Sequence, residues 1–170
     1  MKVKTERFYL RPLNQSDATE RYLSWLAEEA KKEFILSAAS FQTIESIKSY
    51  IQKLEDSQDG ILFGIFTPDD EHIGNIKYNS ISKSSSSAVM GIMIGQEEWR
   101  GKGVASEVII ATSKSLRDEK GIESIILGVK TKNTAAIRAY EKIGFEIVPD
   151  PVFENGGEAQ KMVLKTKKLV

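Results

Sequence analysis

Met90-Gly-Ile-Met-Ile-Gly-Gln-Glu-Glu-Trp-Arg-Gly-Lys-Gly-Val-Ala-Ser106 runs from a hydrophobic strand through a tight glycine turn into an amphipathic helix. Beyond the turn, Ala105, Val108, Ile109, Thr112 and Leu116 fall along one stripe at steps of three and four, so this helix packs on a sheet and holds the turn rigid. Gly101 and Gly103 accept positive φ and let the main chain approach a ligand closely. The first N–H groups of the helix have no intrahelical partner and face outward toward an anion. Arg100 and Lys102 add positive charge at the rim. Such a turn suits a phosphate.

Two other phosphate-binding patterns do not fit. The P-loop, G-x-x-x-x-G-K-[ST], fails because Gly103 follows Lys102. The dinucleotide fingerprint G-x-G-x-x-G needs a third glycine where Ser106 stands. Glu123 imitates its ribose-binding acid but begins the next strand instead of ending it. A strand-to-helix connection whose glycines serve geometry alone stays open at this point.

Downstream of the turn, strands and helices alternate: Ala88–Ile94, Val104–Arg117, Glu123–Val129, Thr134–Lys142 and Phe145–Val148, then a loop over Pro149–Gly157 and a closing strand within Glu158–Thr166. Upstream, Phe8–Leu13 reads as a strand and Ser16 as the N-cap of an amphipathic helix carrying Tyr22, Leu23, Trp25 and Leu26. A second helix begins near Thr43, with Ile44, Ile47, Ile51 and Leu54 on one side. Ile61–Phe66 and Ile73–Tyr78 form a hairpin about Thr67–Glu71. Hairpin strands first and strand–helix alternation afterwards predict an α/β (α+β) domain with a mixed sheet.

The 170 residues, with 41% hydrophobic side chains, supply one core, and residues 1–170 are expected to form a single domain. Balanced Lys+Arg and Asp+Glu (24 each) argue against a nucleic-acid partner held by excess positive charge. They leave self-association open, so a monomer or a homodimer is expected. The absence of Cys excludes thiolate nucleophiles and Cys-based zinc sites, and the one histidine, His72, excludes a multi-histidine cage, so no metal is expected. No stretch approaches the roughly 20 apolar residues of a membrane span, and the opening residues lack a signal-peptide run. The expected location is the cytoplasm, with no membrane partner.

Arg100-Gly101-Lys102-Gly103-Val104-Ala105 resembles the Gln/Arg-x-x-Gly-x-Gly/Ala signature of the GCN5-related N-acetyltransferase (GNAT) superfamily. Asn133-Thr-Ala-Ala-Ile-Arg-Ala-Tyr-Glu-Lys-Ile-Gly-Phe145 is similar to a second segment of that superfamily, and Thr5–Leu13 is similar to the start of its ribosomal-protein N-terminal and amino-sugar acetyltransferase subgroup. The resemblance implies a mostly antiparallel twisted sheet of about six to seven strands flanked by about four helices. It implies direct transfer of acetyl from acetyl-CoA, as co-substrate, to a primary amine, without an acyl-enzyme. By the family pattern, main-chain groups of Met93, Ile94 and Gly95 pair with the pantetheine arm. Arg100 with Gly101, Lys102, Gly103, Val104, Ala105 and Ser106 holds the diphosphate, Asn133 contacts the cofactor, and Tyr140 donates a proton to the departing thiolate.

From the residues alone, Asn133 and Tyr140 are seven apart on one helix, nearly on one face and about 10 Å apart along its axis. Asn133 is equally a natural N-cap, and Tyr140 equally a half-buried aromatic. By the resemblance, the position where some relatives carry a glutamate base aligns with Gly128, which has no base to offer. His72 has a suitable intrinsic pKa but lies at a turn rich in Asp69, Asp70 and Glu71, where it reads more simply as a solvated residue. Glu97 and Glu98 lie near the turn as candidates for the base or as plain solvated charges. The acceptor, a small-molecule or peptide amine, is expected between the front helices and the loops Gln58–Gly60, Ser82–Ser87 and Pro149–Gly157. Tyr22, Trp25 and Phe34 either line that groove or belong to the core. Besides an enzyme, the pattern fits a non-catalytic acyl-CoA-binding sensor or partner module and, less well, a nucleotide-binding domain.

Overall fold

β5 (Ser87–Ile94), the strand that enters the glycine turn, lies near the middle of the sheet. The computed structural model describes residues 1–32, 38, 40, 41 and 43–170. Before β5 come β1 (Val3–Lys4), β2 (Tyr9–Pro12), α1 (Glu20–Lys32), α2 (Ile44–Asp56), β3 (Ile61–Phe66) and β4 (His72–Ser82). After it come α3 (Val104–Lys120), β6 (Ser124–Lys130), α4 (Thr134–Ile143), β7 (Glu146–Val148), α5 (Pro151–Glu154) and β8 (Ala159–Lys165). The strands join in the order β1-β2-β3-β4-β5-β6-β8-β7. Neighbours are antiparallel except β5 and β6, which run parallel and are connected through α3. The fold is thus mixed and mostly antiparallel, as expected. Its eight strands and five α-helices, among the described residues, exceed the expected numbers by β1 and α5. Those elements, of two and four residues, are too short to carry a periodic signal.

Each face of the sheet buries its own core. On one, Phe63, Ile76, Tyr78, Ala88 and Met90 pack with Val108, Ile109 and Leu116 of α3. The Tyr78 hydroxyl finds Thr112 Oγ1 at 2.8 Å, which satisfies the polar end of a fully buried ring. On the other face, Leu62, Phe66 and Met93 meet Tyr22, Trp25 and Leu26 of α1 and Ile47 and Ile51 of α2. Full burial of one such aliphatic side chain contributes about 1.5–3 kcal/mol, so both helix layers are firmly held. Trp25 settles in this core at 2% exposure, and Phe34 lies outside the described residues.

Local signals are met with one correction. Thr43 caps α2, its Oγ1 accepting the Ser46 N–H at 3.1 Å. Ser16 does not cap α1. Asn14 instead caps a single 3-10 turn, Gln15–Asp17, accepting the Ser16 N–H at 2.9 Å, and α1 starts only at Glu20. The cause is Asp17, whose carboxylate takes both Arg11 Nη atoms at 2.8 Å and the Asn14 N–H at 2.8 Å. That bidentate pair closes a local turn before the helix can begin. Among the described residues no helix is long and apolar enough to cross a membrane.

Candidate active site

The sheet opens between β5 and β6. Their parallel register covers only Ser87↔Ser124, Ala88↔Ile125 and Val89↔Ile126, although β5 continues to Ile94 and β6 to Lys130. The far end of β5 therefore has a strand partner on one side only. Gly95 N–H donates to the Ile73 carbonyl at 2.9 Å. Antiparallel pairs alternate between hydrogen-bonded and non-hydrogen-bonded, so the pairing Asn75↔Met93 turns the main-chain groups of Met93 toward β4. Those of Ile92 and Ile94 point to the opening. Arg100 takes the Ile94 carbonyl through Nε (2.9 Å) and the Gly95 carbonyl through Nη2 (3.1 Å), while lying 3.5 Å from Glu28 and 3.8 Å from Glu29. This guanidinium, expected on an anion, is turned back to pin the end of β5 to α1. Ile92 N–H and C=O and Ile94 N–H remain for a ligand.

Past Arg100 the chain makes the glycine turn. Gly101 and Gly103 have φ of 71° and 75°, left-handed values that cost other L-residues roughly 1–2 kcal/mol. Thr43, Asn133 and Asp150 cap α2, α4 and α5 with their side chains, whereas Gly103 gives α3 no side-chain cap. The opening N–H groups of α3, from Val104 to Ser106, are left unpartnered beside an exposed turn. Val104 is core by its side chain, at 2% exposure, so only its main chain can serve a ligand. Lys102 places its ammonium 5.9 Å from the Trp99 ring centroid. Sequence reading misses a third cation, Arg7. Glu107 accepts its main-chain N–H (2.8 Å) and Nε (2.7 Å), and its Nη2 lies 3.7 Å from where a Gly103 side chain would begin. No local pattern links residues one hundred positions apart. Burial alone would raise the Glu107 carboxyl, but hydrogen bonds from Thr5 and from the main chain and guanidinium of Arg7 hold it below the usual carboxylate range.

Across the opening stands α4. Asn133 caps it, Oδ1 accepting the Ala136 N–H at 3.3 Å, and also lines the opening. Tyr140, seven residues on, lines it too, with its ring tilted against Phe145 at 5.6 Å. Burial pushes the Tyr140 hydroxyl up to about 12. It is therefore a protonated donor at neutral pH.

These groups surround one cavity of about 1140 Å³ that passes through the opening and under α1 and α2. Met93, Ile94, Arg100, Asn133 and Tyr140 all line it; Gly95 and the turn from Gly101 to Ser106 lie beyond its wall. The far side is made by Tyr22, Tyr50, Asn75, Lys77 and Met93, and the mouth by Val152, Phe153 and Asn155. Of the three loops expected around the acceptor, only Pro149–Gly157 contributes to this wall.

The sequence profile of the acetyltransferase (GNAT) domain matches residues 7–146, most of the chain. The chain belongs to the GNAT family of N-acetyltransferases. It is 27% identical over 146 residues to the uncharacterized N-acetyltransferase p20 of Bacillus licheniformis, covering 84% of this chain and 80% of that one. A shorter match, 40% over 52 residues, is to an N-alpha-acetyltransferase of Saccharolobus solfataricus and spans only 31% of either protein. In fold the chain is similar to a ribosomal L7/L12 alpha-N-protein acetyltransferase solved with coenzyme A (TM-score 0.84, 15% identity, 97% and 98% of the two chains). It is also similar to spermidine N-acetyltransferase from Vibrio cholerae solved with CoA and spermine (TM-score 0.81, 19% identity, 96% and 98%).

Within this GNAT cleft the base position is filled by a ring. A side chain starting at Gly128 would meet Phe153 Cδ1 at 3.1 Å, and Lys161, paired with Asp150 at 2.9 Å, sits 5.2 Å from the Phe153 ring centroid. Among the described residues two carboxylates line the cavity: Glu29 lies 3.6 Å from Lys32 and 3.8 Å from Arg100, and Glu158 accepts from Asn155 Nδ2 at 3.1 Å. Glu97 and Glu98 do not reach the cavity wall. Reading His72 as a solvated turn residue also needs correction. Its ring stacks on Phe66 at 4.9 Å and meets Trp25 edge-on at 4.9 Å. Burial lowers the His72 pKa and so favours the neutral imidazole. Its Nε2 lies 2.7 Å from Asn75 Oδ1, one residue back from the cavity wall. A bulge between Ile65 and Phe66 turns His72 inward, and single-residue alternation does not foresee bulges.

Proposed function

We propose that this chain transfers the acetyl group of acetyl-CoA directly to a primary amine of a small molecule or peptide, with Tyr140 as proton donor. The observation that carries the reading is the cavity through the β5/β6 opening, which brings main-chain groups at the open end of β5 within the same enclosure as a half-buried, protonated Tyr140. Acetyl-CoA supplies an activated thioester. Ile92 and the N–H of Ile94 pair with its pantetheine arm, extending the sheet by an edge as a short strand would. Of the main-chain groups the family pattern nominates, that of Ile94 suits the arm best, because those of Met93 and Gly95 turn toward β4. The uncapped amides between Gly101 and Ser106 receive the diphosphate, with Lys102 and Arg7 supplying charge at the rim. Asn133 contacts the arm from α4.

The amine attacks in its neutral form. As the new C–N bond forms and the C–S bond breaks, Tyr140 gives its proton to the leaving sulfur, and a proton leaves the nitrogen through water, since Gly128 offers no base. Without Cys in the sequence, no thiolate is on hand to form an acyl-enzyme. Thiol release from acetyl-CoA, followed against amines, peptide N-termini and amino sugars, tests the reading. If acetyl-CoA binds and none of these classes releases thiol, a non-catalytic acyl-CoA-binding module takes its place. Tighter binding of a dinucleotide than of CoA would instead favour a nucleotide-binding domain.

A further inference from the structure

We propose that the acceptor amine also bears an anionic group, a carboxylate or a phosphate, and that Lys77 and Asn75 hold it; this rests on the acetyl-transfer reading and specifies its second substrate. Asn75 and Lys77 lie two apart on β4, so their side chains rise from the same face, about 7 Å apart along the strand. Both line the cavity beneath α1 and α2. Asn75 is 5% exposed, and among the described residues its Nδ2 makes no well-formed hydrogen bond, the Tyr22 hydroxyl being the polar group nearest to hand. A buried donor left this way costs about 1–3 kcal/mol, which an accepting ligand would recover. His72, clamped between Phe66, Trp25 and Tyr22, places Nε2 2.7 Å from Asn75 Oδ1, and with the imidazole protonated at Nε2 this contact turns the Nδ2 group onward into the cavity.

Lys77 supplies the charge. Its stem crosses Gly91 of β5, with Cε 3.9 Å from where a side chain there would begin. Its ammonium rests 5.8 Å from the Tyr50 ring centroid, and among the described residues no carboxylate lies within ion-pair distance of it. Among the described residues of the wall, Lys32, Lys77, Arg100 and Lys130 stand against Glu29 and Glu158. Cations therefore outnumber carboxylates among the described lining residues, which favours an anion over a polycation. Asn75 and Lys77 are one strand from the free edge of β5, about 4.8 Å, so the anion lies only a few bonds from the attacking amine. Leu26, Leu62 and Met93 provide an apolar wall for the remainder of the molecule.

The test measures acetylation of phenylalanine, phenylalaninamide, 2-aminoethyl phosphate and spermidine at saturating acetyl-CoA. At least one of the two anionic acceptors should exceed phenylalaninamide and spermidine by about 10-fold or more in kcat/KM, the range expected for a hydrogen-bonded charge. Comparison of the carboxylate and phosphate arms identifies the anion. Lys77→Glu should remove that advantage by raising the acceptor KM, with the acetyl-CoA KM unchanged; Lys77→Met, which keeps the apolar stem, should fall between. Spermidine or the amide reacting as well as both anions, or an unchanged KM in Lys77→Glu that melts like the parent, overturns the inference. Should no amine react at all, calorimetry with CoA present and N-acetylphenylalanine against its amide decides separately: preference for the carboxylate supports the site, and equal or absent binding rejects it.

Discussion

On the acetyl-transfer reading proposed above, the cleft meets the cofactor with main chain between Gly101 and Ser106, and the acceptor with side chains at Asn75 and Lys77. The first surface is made by two glycines at φ above 70° and the uncapped start of α3. The second is made by an amide and an ammonium standing on an ordinary strand, steadied by a histidine from the strand's first position. A main-chain surface binds any group of matching shape and charge, so it suits a cofactor shared by a whole family. A side-chain surface can be rebuilt one residue at a time without disturbing the fold, so acceptor choice belongs there. The two should fail separately when mutated.

The largest effect is expected where the surfaces meet. Tyr140→Phe should lower kcat about 100-fold, within the usual range for a general acid, while calorimetric affinity for CoA stays the same. Because burial holds this hydroxyl at about 12, the parent enzyme's kcat/KM should climb as the acceptor amine loses its proton and show no fall from Tyr140 below about pH 10. An equal loss of cofactor affinity in Tyr140→Phe would make the tyrosine a binding residue instead.

Next comes the turn. Gly103→Val forces a β-branched residue into left-handed backbone, at roughly 1–2 kcal/mol or more, and pushes a side chain toward the diphosphate. The acetyl-CoA KM should rise about 10-fold by that strain, with the acceptor KM unmoved. Lys77→Glu should do the reverse, and the double variant should show the product of the two effects, as independent sites do. Strong coupling between them would break the separation of the cleft into two surfaces.

A smaller effect concerns His72. Its folded pKa is lowered by burial, so as pH falls below about 6.5 the unfolded chain takes up a proton that the folded chain refuses, and stability declines. Above that pH the contribution is fully present. Thermal unfolding between pH 7.5 and 5.5 should show the decline, and His72→Phe should flatten it while raising the acceptor KM by freeing Asn75. The smallest effect belongs to Gly128→Ala. Phe153 stands on a four-residue surface helix and can yield a few tenths of an ångström, so stability should change by no more than about 1 kcal/mol. Gly128→Glu combined with Phe153→Ala should instead add a base and shift the rise of kcat/KM to lower pH.

What could be read in the sequence follows the same division. Gly101, Gly103, Asn133 and Gly144 are legible because special backbone conformations and helix ends admit few residue types. Apolar periodicity likewise located the long strands and α1 to α4, to within a few residues. Asn75 and Lys77 gave no signal, since an amide or a lysine on a half-exposed strand looks like any solvent-facing position. Arg7 at the glycine turn and Phe153 over Gly128 are products of tertiary folding. Arg100 is legible as part of the motif, but its partners are not: its carbonyl targets on β5 and its acids on α1 are set by how the layers stack.

The central claim is direct transfer within this cleft, and mass spectrometry of the protein and its products tests it most simply. With acetyl-CoA alone, the protein should gain no acetyl group and release no thiol. Once a reactive amine is added, free CoA and acetylated amine should appear in equal amounts while the protein's mass stays constant. An acetylated protein that later passes its acetyl group to the amine, or thiol released without any acetylated amine, would contradict the account.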